Sequence, residues 1–415
     1  MLHHFRNFWN KLGPGLITGA SDDDPSGIAT YTQAGAAFGM QTLWTAWVTF
    51  PLMVAIQEMC ARIGMVQKKG LTTIIRQRYP RWVLYLLTFV SIPAITLNIG
   101  ANIAAMGAVC NMLYPGVHAN VYSLLLVAGL LYGMIRFSYR RIAAVLKWLC
   151  LVLLVYVLVP FFTRPQLLQV LQHTFIPSFP SGREFAAILV AILGTTISPY
   201  LFFWQANMER EEVLERHIVV DKYILSDMRT DIGTGMFYSN FIMYFIILAS
   251  GTALYNVGGL QLVTVADAAR AIEPAAGKEA YLLFAVGVIG TGLLALPVLA
   301  GSISYMVAEV FRLPEGLNRK FHQAKGFYIT LVVAVTVGFG INLFGISPVK
   351  ALLVTAVVYG ITAPVLIGII LHICNNKSIM GAYTNTPRSN FWGFLCLALM
   401  TLAAATFLYL EFTSR

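Results

Sequence analysis

Long apolar blocks alternate with short polar stretches along this chain. Each block holds at least 18 residues, and a helix needs about 20 apolar residues to cross a bilayer. The short alternating segments that are typical of a membrane β-barrel are not seen. The pattern therefore predicts eleven membrane-spanning helices, at residues 13–38, 43–66, 82–112, 119–136, 142–162, 184–208, 232–254, 280–311, 327–345, 348–373 and 391–412.

The composition agrees with a protein that lies within a membrane. Of the 415 residues, 58% are hydrophobic and 11% are charged, whereas soluble domains carry about 25% charged residues. No low-complexity tract interrupts the apolar blocks. We therefore predict one all-α transmembrane domain over residues 1–415, located in the inner or plasma membrane of a cell.

The basic residues collect on one side of the predicted spans. The net charge is +10, and 22 of the 28 Lys and Arg residues fall on the side that holds the N-terminus. Because cytoplasmic loops are enriched in these residues, we expect a cytoplasmic N-terminus and an external C-terminus. The basic charge thus reflects topology and does not indicate a nucleic-acid partner. We expect the lipid bilayer as the partner of this chain. We do not expect an oligomer to be required.

The first apolar block contains an acidic break. Asp22, Asp23 and Asp24 precede Pro25 in mid-block, and no Lys or Arg occurs between residues 11 and 62. An ionised carboxylate at bilayer depth costs roughly 2.5–3.5 kcal/mol, and Pro25 cannot extend a helix from the preceding turn. Two half-helices joined by unwound backbone would offer carbonyl and carboxylate oxygens to a cation near the membrane midplane.

A simpler interpretation of the same residues is helix capping. Asp24 would then be the N-cap of the second half-helix and Pro25 its first residue. A cap needs only one Asp, so we favour a cation site that includes the cap. Asp22 and Asp23 keep two interpretations: they line the ion pathway and attract cations, or they are protonated or bonded to unwound backbone of the sixth span.

The sixth block repeats the features of the first. Residues 194–200 read Gly-Thr-Thr-Ile-Ser-Pro-Tyr and again place small hydroxyl residues and a proline in mid-membrane. Interrupted spans at matching positions are typical of inverted-repeat transporters. We therefore predict two inverted five-helix repeats, at about 13–162 and 184–373, followed by an extra helix at 391–412.

These motifs resemble those of the Nramp divalent-metal transporters, which have the leucine-transporter fold with broken first and sixth helices. The resemblance covers nearly the whole chain. It rests on five segments, which are Gly13 to Gly15, Asp24 to Gly27, Gln57 to Gly64, Thr195 to Pro199 and Asp231 to Met236. It implies a transported divalent cation as substrate, no resident cofactor and no enzymatic activity.

The resemblance also implies a set of metal ligands, position by position. The family's ligand Asp falls on Asp24 and its backbone carbonyl donor on Thr195. Its ligand Asn falls on Gly27, and its ligand Met on Ser198. The acid is thus retained, while the amide and the thioether are replaced.

Three further family positions differ in this chain. The family's His after the sixth break falls on Tyr200, and its acidic proton-path residues in the third span give way to Asn98 and Asn102. A Gln ligand of some members falls on an alanine beside Thr355. We expect these four residues to line the pathway or to support the ligands.

The replacements favour a hard, hydrated cation. Thioethers select soft transition metals, whereas oxygen donors suit Mg²⁺, which usually keeps several waters and binds through one or two carboxylates. Gly27 and Ser198 would also widen the cavity. We therefore expect uptake of Mg²⁺, with Mn²⁺ a further substrate, by alternating access without proton coupling, as in the magnesium-transporting branch of the family.

Other functions remain open at this point. The first alternative is a proton-coupled Mn²⁺/Fe²⁺ symporter of the ordinary Nramp type. An intramembrane Mg²⁺-dependent transferase would need a second Asp-rich motif to hold its substrate, and the remaining spans carry none. A carrier for anionic amino acids disagrees with three adjacent carboxylates.

Overall fold

The structure, a computed structural model, describes residues 13–137, 148, 151–255 and 265–413. Within these residues the chain is helical, with no β-strand. The helices are α1 (Pro14–Asp22), α2 (Pro25–Phe38), α3 (Trp44–Gln67), α4 (Leu71–Arg78), α5 (Arg81–Leu113), α6 (Ala119–Arg136), α7 (Val155–Thr163), α8 (Leu167–Phe175), α9 (Arg183–Thr196), α10 (Pro199–Glu215), α11 (Lys222–Ala253), α12 (Val265–Arg270), α13 (Glu273–Ala276), α14 (Ala280–Phe311), α15 (Lys325–Asn342), α16 (Pro348–Asn375), α17 (Lys377–Met380) and α18 (Pro387–Thr413).

The long helices match the predicted spans. Nine helices in the described residues are long and apolar enough to cross a membrane, with α9 and α10 counted as one and α13 and α14 as another. The pair α1 and α2 forms the broken first span. The predicted span at 142–162 is described from residue 151 onward, where a 3₁₀ turn at Leu151–Leu154 leads into α7, and most of its earlier residues lie outside the described part. The prediction of an all-helical membrane protein is confirmed.

Both predicted breaks are present, and proline explains each of them. Helix α1 ends at Asp22, and α2 begins with Pro25 as its first residue. Helix α9 ends at Thr196, and α10 begins with Pro199. Since proline lacks an N–H, it is accepted at the first position of a helix but not in its interior.

The two broken helices lie inside the bundle. Helices α1 and α2 pack along α11, α9 packs along α16, and α5 contacts α14, α15 and α16. Helices α10 and α11 also continue beyond the predicted membrane segments, so that most of the connection between the sixth and seventh spans, residues 209–231, is helical. The centre of the bundle therefore holds the two breaks, enclosed by α5, α11 and α16.

Candidate metal site

Asp24 lies at the break of the first span and caps α2. Its side chain is 1% exposed. Its Oδ1 accepts hydrogen bonds from the backbone N–H groups of Ser26 at 2.8 Å and Gly27 at 3.0 Å, and the Ser26 hydroxyl donates to the same oxygen. The capping interpretation is therefore correct, and it places a buried carboxylate between the two half-helices.

Two amides from α5 hold the other oxygen of this carboxylate. Asn98 Nδ2 donates to Asp24 Oδ2 at 3.3 Å, and Asn102 Nδ2 donates to it at 3.0 Å. The two asparagines lie four residues apart on one helical face, and Asn102 also donates to the Asn98 side chain at 3.1 Å. Both are fully buried. They therefore contact the candidate ligand directly.

The break of the sixth span faces Asp24 across one serine. Ser26 Oγ lies 3.2 Å from Thr195 Oγ1, so a hydroxyl chain joins Asp24 to α9. The carbonyl oxygen of Thr195, the expected backbone ligand, accepts a hydrogen bond from Ser198 Oγ at 2.7 Å. Ser26 thus links Asp24 to Thr195, and the Thr195 carbonyl oxygen is engaged by Ser198.

Gly27 gives less open space than expected. A Cβ atom at this position would lie 3.2 Å from Tyr31 Cε2 and 3.3 Å from the Asp22 carbonyl oxygen. The Tyr31 ring therefore occupies the space beside Gly27. Its hydroxyl is buried and has no hydrogen-bond partner among the described residues. Room for a hydrated ion at this position requires the Tyr31 side chain to move.

Asp22 and Asp23 point to a different helix from Asp24. Ser239 Oγ on α11 lies 2.8 Å from Asp22 Oδ2 and 3.2 Å from Asp23 Oδ1, and a hydroxyl can donate its single proton to only one of them at a time. The second oxygen of each carboxylate is buried without a hydrogen-bond partner among the described residues. Both acids are thus adjacent to the candidate site but bonded to α11.

In contrast to Asn98 and Asn102, Tyr200 and Thr355 make their contacts with groups other than Asp24. The buried Tyr200 ring packs against Tyr359 of α16, with ring centroids 5.7 Å apart. The Thr355 hydroxyl donates to Ala351 O of its own helix at 2.8 Å. Neither residue is among the groups that hydrogen-bond to Asp24.

The donor set is one carboxylate with neutral oxygen groups around it. No cluster of three or more His, Cys, Asp or Glu side chains that could hold a metal is present in the described part of the chain. Hydroxyl, carbonyl and carboxylate oxygens suit a hard cation that keeps part of its water shell. A transported ion would displace the hydrogen-bond donors that now surround Asp24.

Comparison with known proteins decides the family. The family model described as Natural resistance-associated macrophage protein-like, or Nramp, matches residues 15–410. The chain belongs to the Nramp family. Relatives include the divalent metal cation transporter MntH of Caldanaerobacter subterraneus, 24% identical over 98% of this chain and 94% of its own length. MntH of Aeromonas hydrophila is 25% identical over 94% of this chain and 93% of its own length.

Two solved transporter structures share the fold of this Nramp chain. A mutant of the Eremococcus coleocola manganese transporter aligns with a TM-score of 0.74 and 19% identity, over 94% of this chain and 84% of that chain. The nucleobase-cation-symport transporter Mhp1, in a closed conformation with bromovinylhydantoin bound, aligns with a TM-score of 0.58 and 12% identity, over 95% and 92% of the two chains. The expected leucine-transporter-like architecture of the Nramp family is thus confirmed.

Sequence reasoning missed three side chains that surround the acidic break. Ser26 links Asp24 to Thr195, Ser239 bridges Asp22 and Asp23, and Tyr31 fills the space at Gly27. Ser26 and Tyr31 follow Asp24 by two and seven residues and could have been placed on the first turns of α2. Ser239 carries no local signal, because its role depends on how α11 packs against α1.

Proposed function

We propose that this Nramp protein transports a divalent metal cation across a cell membrane by alternating access, with hydrated Mg²⁺ as the preferred cargo. The observation that carries the proposal is the buried Asp24 carboxylate at the junction of two half-helices, with oxygen donors of the other broken span beside it. Broken helices in transporters place such oxygens at the substrate site. The names of its relatives, divalent metal cation transporters, support the class of cargo.

The chemistry of the neighbouring groups supports Mg²⁺ within that class. Ser198 stands at the position where the family pattern has a Met sulfur, and its hydroxyl lies within hydrogen-bond distance of two α9 carbonyls, at 3.0 and 2.7 Å. Without a thioether, the site has no soft ligand that would favour Mn²⁺ over Mg²⁺. Mg²⁺ accepts few protein ligands and retains its waters, which fits a site with one carboxylate.

The amides on α5 support transport without proton coupling. Asn98 and Asn102 contact Asp24 where the family pattern has acids, and an amide does not ionise at physiological pH. A membrane potential of 100 mV is worth about 2.3 kcal/mol per charge, hence about 4.6 kcal/mol for a divalent ion. That is enough to drive accumulation without a second ion.

A proton-coupled Mn²⁺/Fe²⁺ symporter is the second candidate. The observation that favours it is the presence of Asp22 and Asp23, two carboxyl groups buried next to the site and able to carry protons. The two functions differ in one measurable property. Only the symporter would acidify a vesicle lumen during metal uptake.

Uptake into proteoliposomes distinguishes the two candidate functions. The purified protein is reconstituted with a pH dye inside, and uptake of Mg²⁺, Mn²⁺ and Ca²⁺ is compared under an imposed potential. We expect Mg²⁺ uptake that follows the potential without a change in lumenal pH. Acidification in step with uptake would favour the symporter instead.

Asp24→Ala tests the ligand assignment in the same vesicles. We expect uptake to fall to the level of protein-free liposomes. The matched control is Asp221→Ala, which removes another helix-capping Asp, exposed at the start of α11, where it accepts from Ile224 N at 2.8 Å. The control should keep wild-type uptake, and an Asp24→Ala protein that still transports would refute the site.

A further inference from the structure

Helix α1 rests on one face of α11 along its whole length. Asp231, Gly235 and Ser239 follow one another at intervals of four residues on α11, an interval that places them on one side of a helix. Asp231 contacts the start of α1, Gly235 its middle and Ser239 its end. This face therefore determines where the inner half of the first span lies.

Asp231 caps α1 from another helix. Its Oδ1 accepts from the backbone N–H groups of Gly13 at 2.9 Å and Leu16 at 3.1 Å, and its Oδ2 accepts from that of Gly15 at 2.7 Å. The N-cap residue, Gly13, has no side chain and therefore cannot cap the helix itself. The first N–H groups of a helix have no partner within it, and a carboxylate there is also favoured by the helix dipole.

Glycines bring the two helices into backbone contact. A Cβ atom on Gly19 would lie 2.2 Å from the carbonyl oxygen of Gly235. A Cβ atom on Gly235 would lie 2.3 Å from the carbonyl oxygen of Gly15. Small residues spaced by four allow such close approach in membrane proteins. Any movement of α1 away from α11 would break this close backbone contact.

Thr18 ties α1 to α10. Thr18 Oγ1 hydrogen-bonds to Gln205 Oε1, and Gln205 Nε2 donates to Glu209 Oε1 at 2.9 Å. A cavity of about 190 Å³ adjoins this end of α1 and is lined in part by Gly13, Glu209 and Asp231. Movement of α1 away from α11 would therefore open the candidate site toward the side where α1 begins.

We propose that Asp231 is the positioning residue that holds the inner half of the broken first span closed, and that its three hydrogen bonds must break before the cation can leave toward the α1 start. This inference rests on the proposed transport function. Asp231 does not contact the cation. It acts through α1, whose other end carries the acidic break.

A labelling experiment reads the position of α1 directly. Ser21→Cys is introduced into the full-length protein after Cys60, Cys110, Cys150, Cys374 and Cys396 are replaced by serine or alanine. Ser21 is fully buried on α1, so its thiol should react slowly with a membrane-impermeant maleimide in proteoliposomes. A second substitution, Asp231→Asn, is then added. It removes the charge and places an amide N–H donor opposite the backbone N–H donors of α1. We expect labelling to accelerate about tenfold, the size of effect expected when a charge-assisted helix cap is lost.

Two further variants separate the cap from unrelated effects. Asp221→Asn makes the same chemical change at an exposed position on α11 and should leave labelling unchanged. Gly235→Ala leaves the carboxylate intact but pushes α1 away through the 2.3 Å contact, so it should accelerate labelling as well. Because its effect does not depend on Asp231, Gly235→Ala is the positive control for displacement of α1. If Asp231→Asn fails to fold, as judged by size-exclusion profile, Asp231→Glu provides the test, because its longer side chain keeps the charge but shifts the oxygens away from the three N–H groups. It should accelerate labelling as well, and labelling at the parent rate would overturn the inference.

The outcomes are distinguishable from a failure of the proposed function. Labelling of folded Asp231→Asn at the parent rate, or equal acceleration by Asp221→Asn, would overturn the inference. The labelling rate does not depend on which cation is carried. Failure of Mg²⁺ uptake with accelerated labelling would therefore refute the cargo and leave the role of Asp231 standing.

Discussion

Gly194→Ala should displace one half of the candidate site. Gly194 lies on α9 next to Thr195 and faces α16, where a Cβ atom would lie 2.0 Å from the carbonyl oxygen of Ala356 and 2.3 Å from Gly360 N. Ordinary van der Waals contact begins at 3.4 Å, so the two helices would have to separate by about 1.4 Å at this point. Overpacking of this kind costs typically 1–3 kcal/mol.

The displacement carries Thr195 and Ser198 away from Asp24. Misplacement of a reacting group by 1 Å can cost on the order of 100-fold in an enzyme, and an ion ligand is comparably sensitive to position. We expect the initial rate of Mg²⁺ uptake into proteoliposomes to fall at least about tenfold, with a lower melting temperature in detergent. The measurement is uptake at several Mg²⁺ concentrations, beside a thermal unfolding curve.

Gly368→Ala is the matched control for this change. Gly368 lies on α16, the helix that Gly194 contacts, and a Cβ atom there would meet no atom within 4 Å. It should keep wild-type uptake and the same or slightly higher stability, since alanine favours helix. Wild-type uptake and stability in Gly194→Ala would show that the contact between α9 and α16 does not set the position of Thr195.

Two other predictions concern metal selectivity and a buried ion pair. Ser198→Met, alone or with Gly27→Asn, should raise the potency of Mn²⁺ and Cd²⁺ as competitors of Mg²⁺ uptake, because the Met thioether supplies a soft ligand, and unchanged selectivity would contradict the ligand argument. Glu58→Gln should lower the free energy of unfolding by roughly 3 kcal/mol, because it leaves the buried Arg62 without its carboxylate partner, whose oxygen lies 3.4 Å away. Glu411→Gln, which breaks a pair with the 53% exposed Arg183, should cost under about 1 kcal/mol. Similar unfolding curves for the two Gln variants would show that the buried pair of Glu58 and Arg62 stabilises the fold no more than the exposed pair.

The sequence predicted those parts of the fold that depend on local chemistry. Pro25 and Pro199 determine where α2 and α10 begin, because proline is excluded from a continuous helix. Asp24 as N-cap follows from the same local rule. The positions of the breaks and of the candidate carboxylate could therefore be read from neighbouring residues.

Contacts between segments that are distant in the chain could not be predicted from local sequence patterns. The hydrogen bonds of Asp231 to residues 13–16 join positions more than 200 apart in the chain. Their geometry depends on the approach that Gly19 and Gly235 allow, and no local pattern gives the angle of that crossing. The narrow space at Gly27 was missed for the same reason, since it depends on the rotamer of Tyr31.

In the proposed transport cycle, the capping role of Asp24 has a consequence for how fast cargo can be released. Asp24 Oδ1, one of the two oxygens that would hold the ion, also closes the first turn of α2. In the proposed cycle, a bound cation and the helix terminus compete for one carboxylate, and a departing ion restores a cap worth about 1 kcal/mol. The protein itself thus supplies a replacement partner at the moment of unloading, which favours rapid turnover over tight retention.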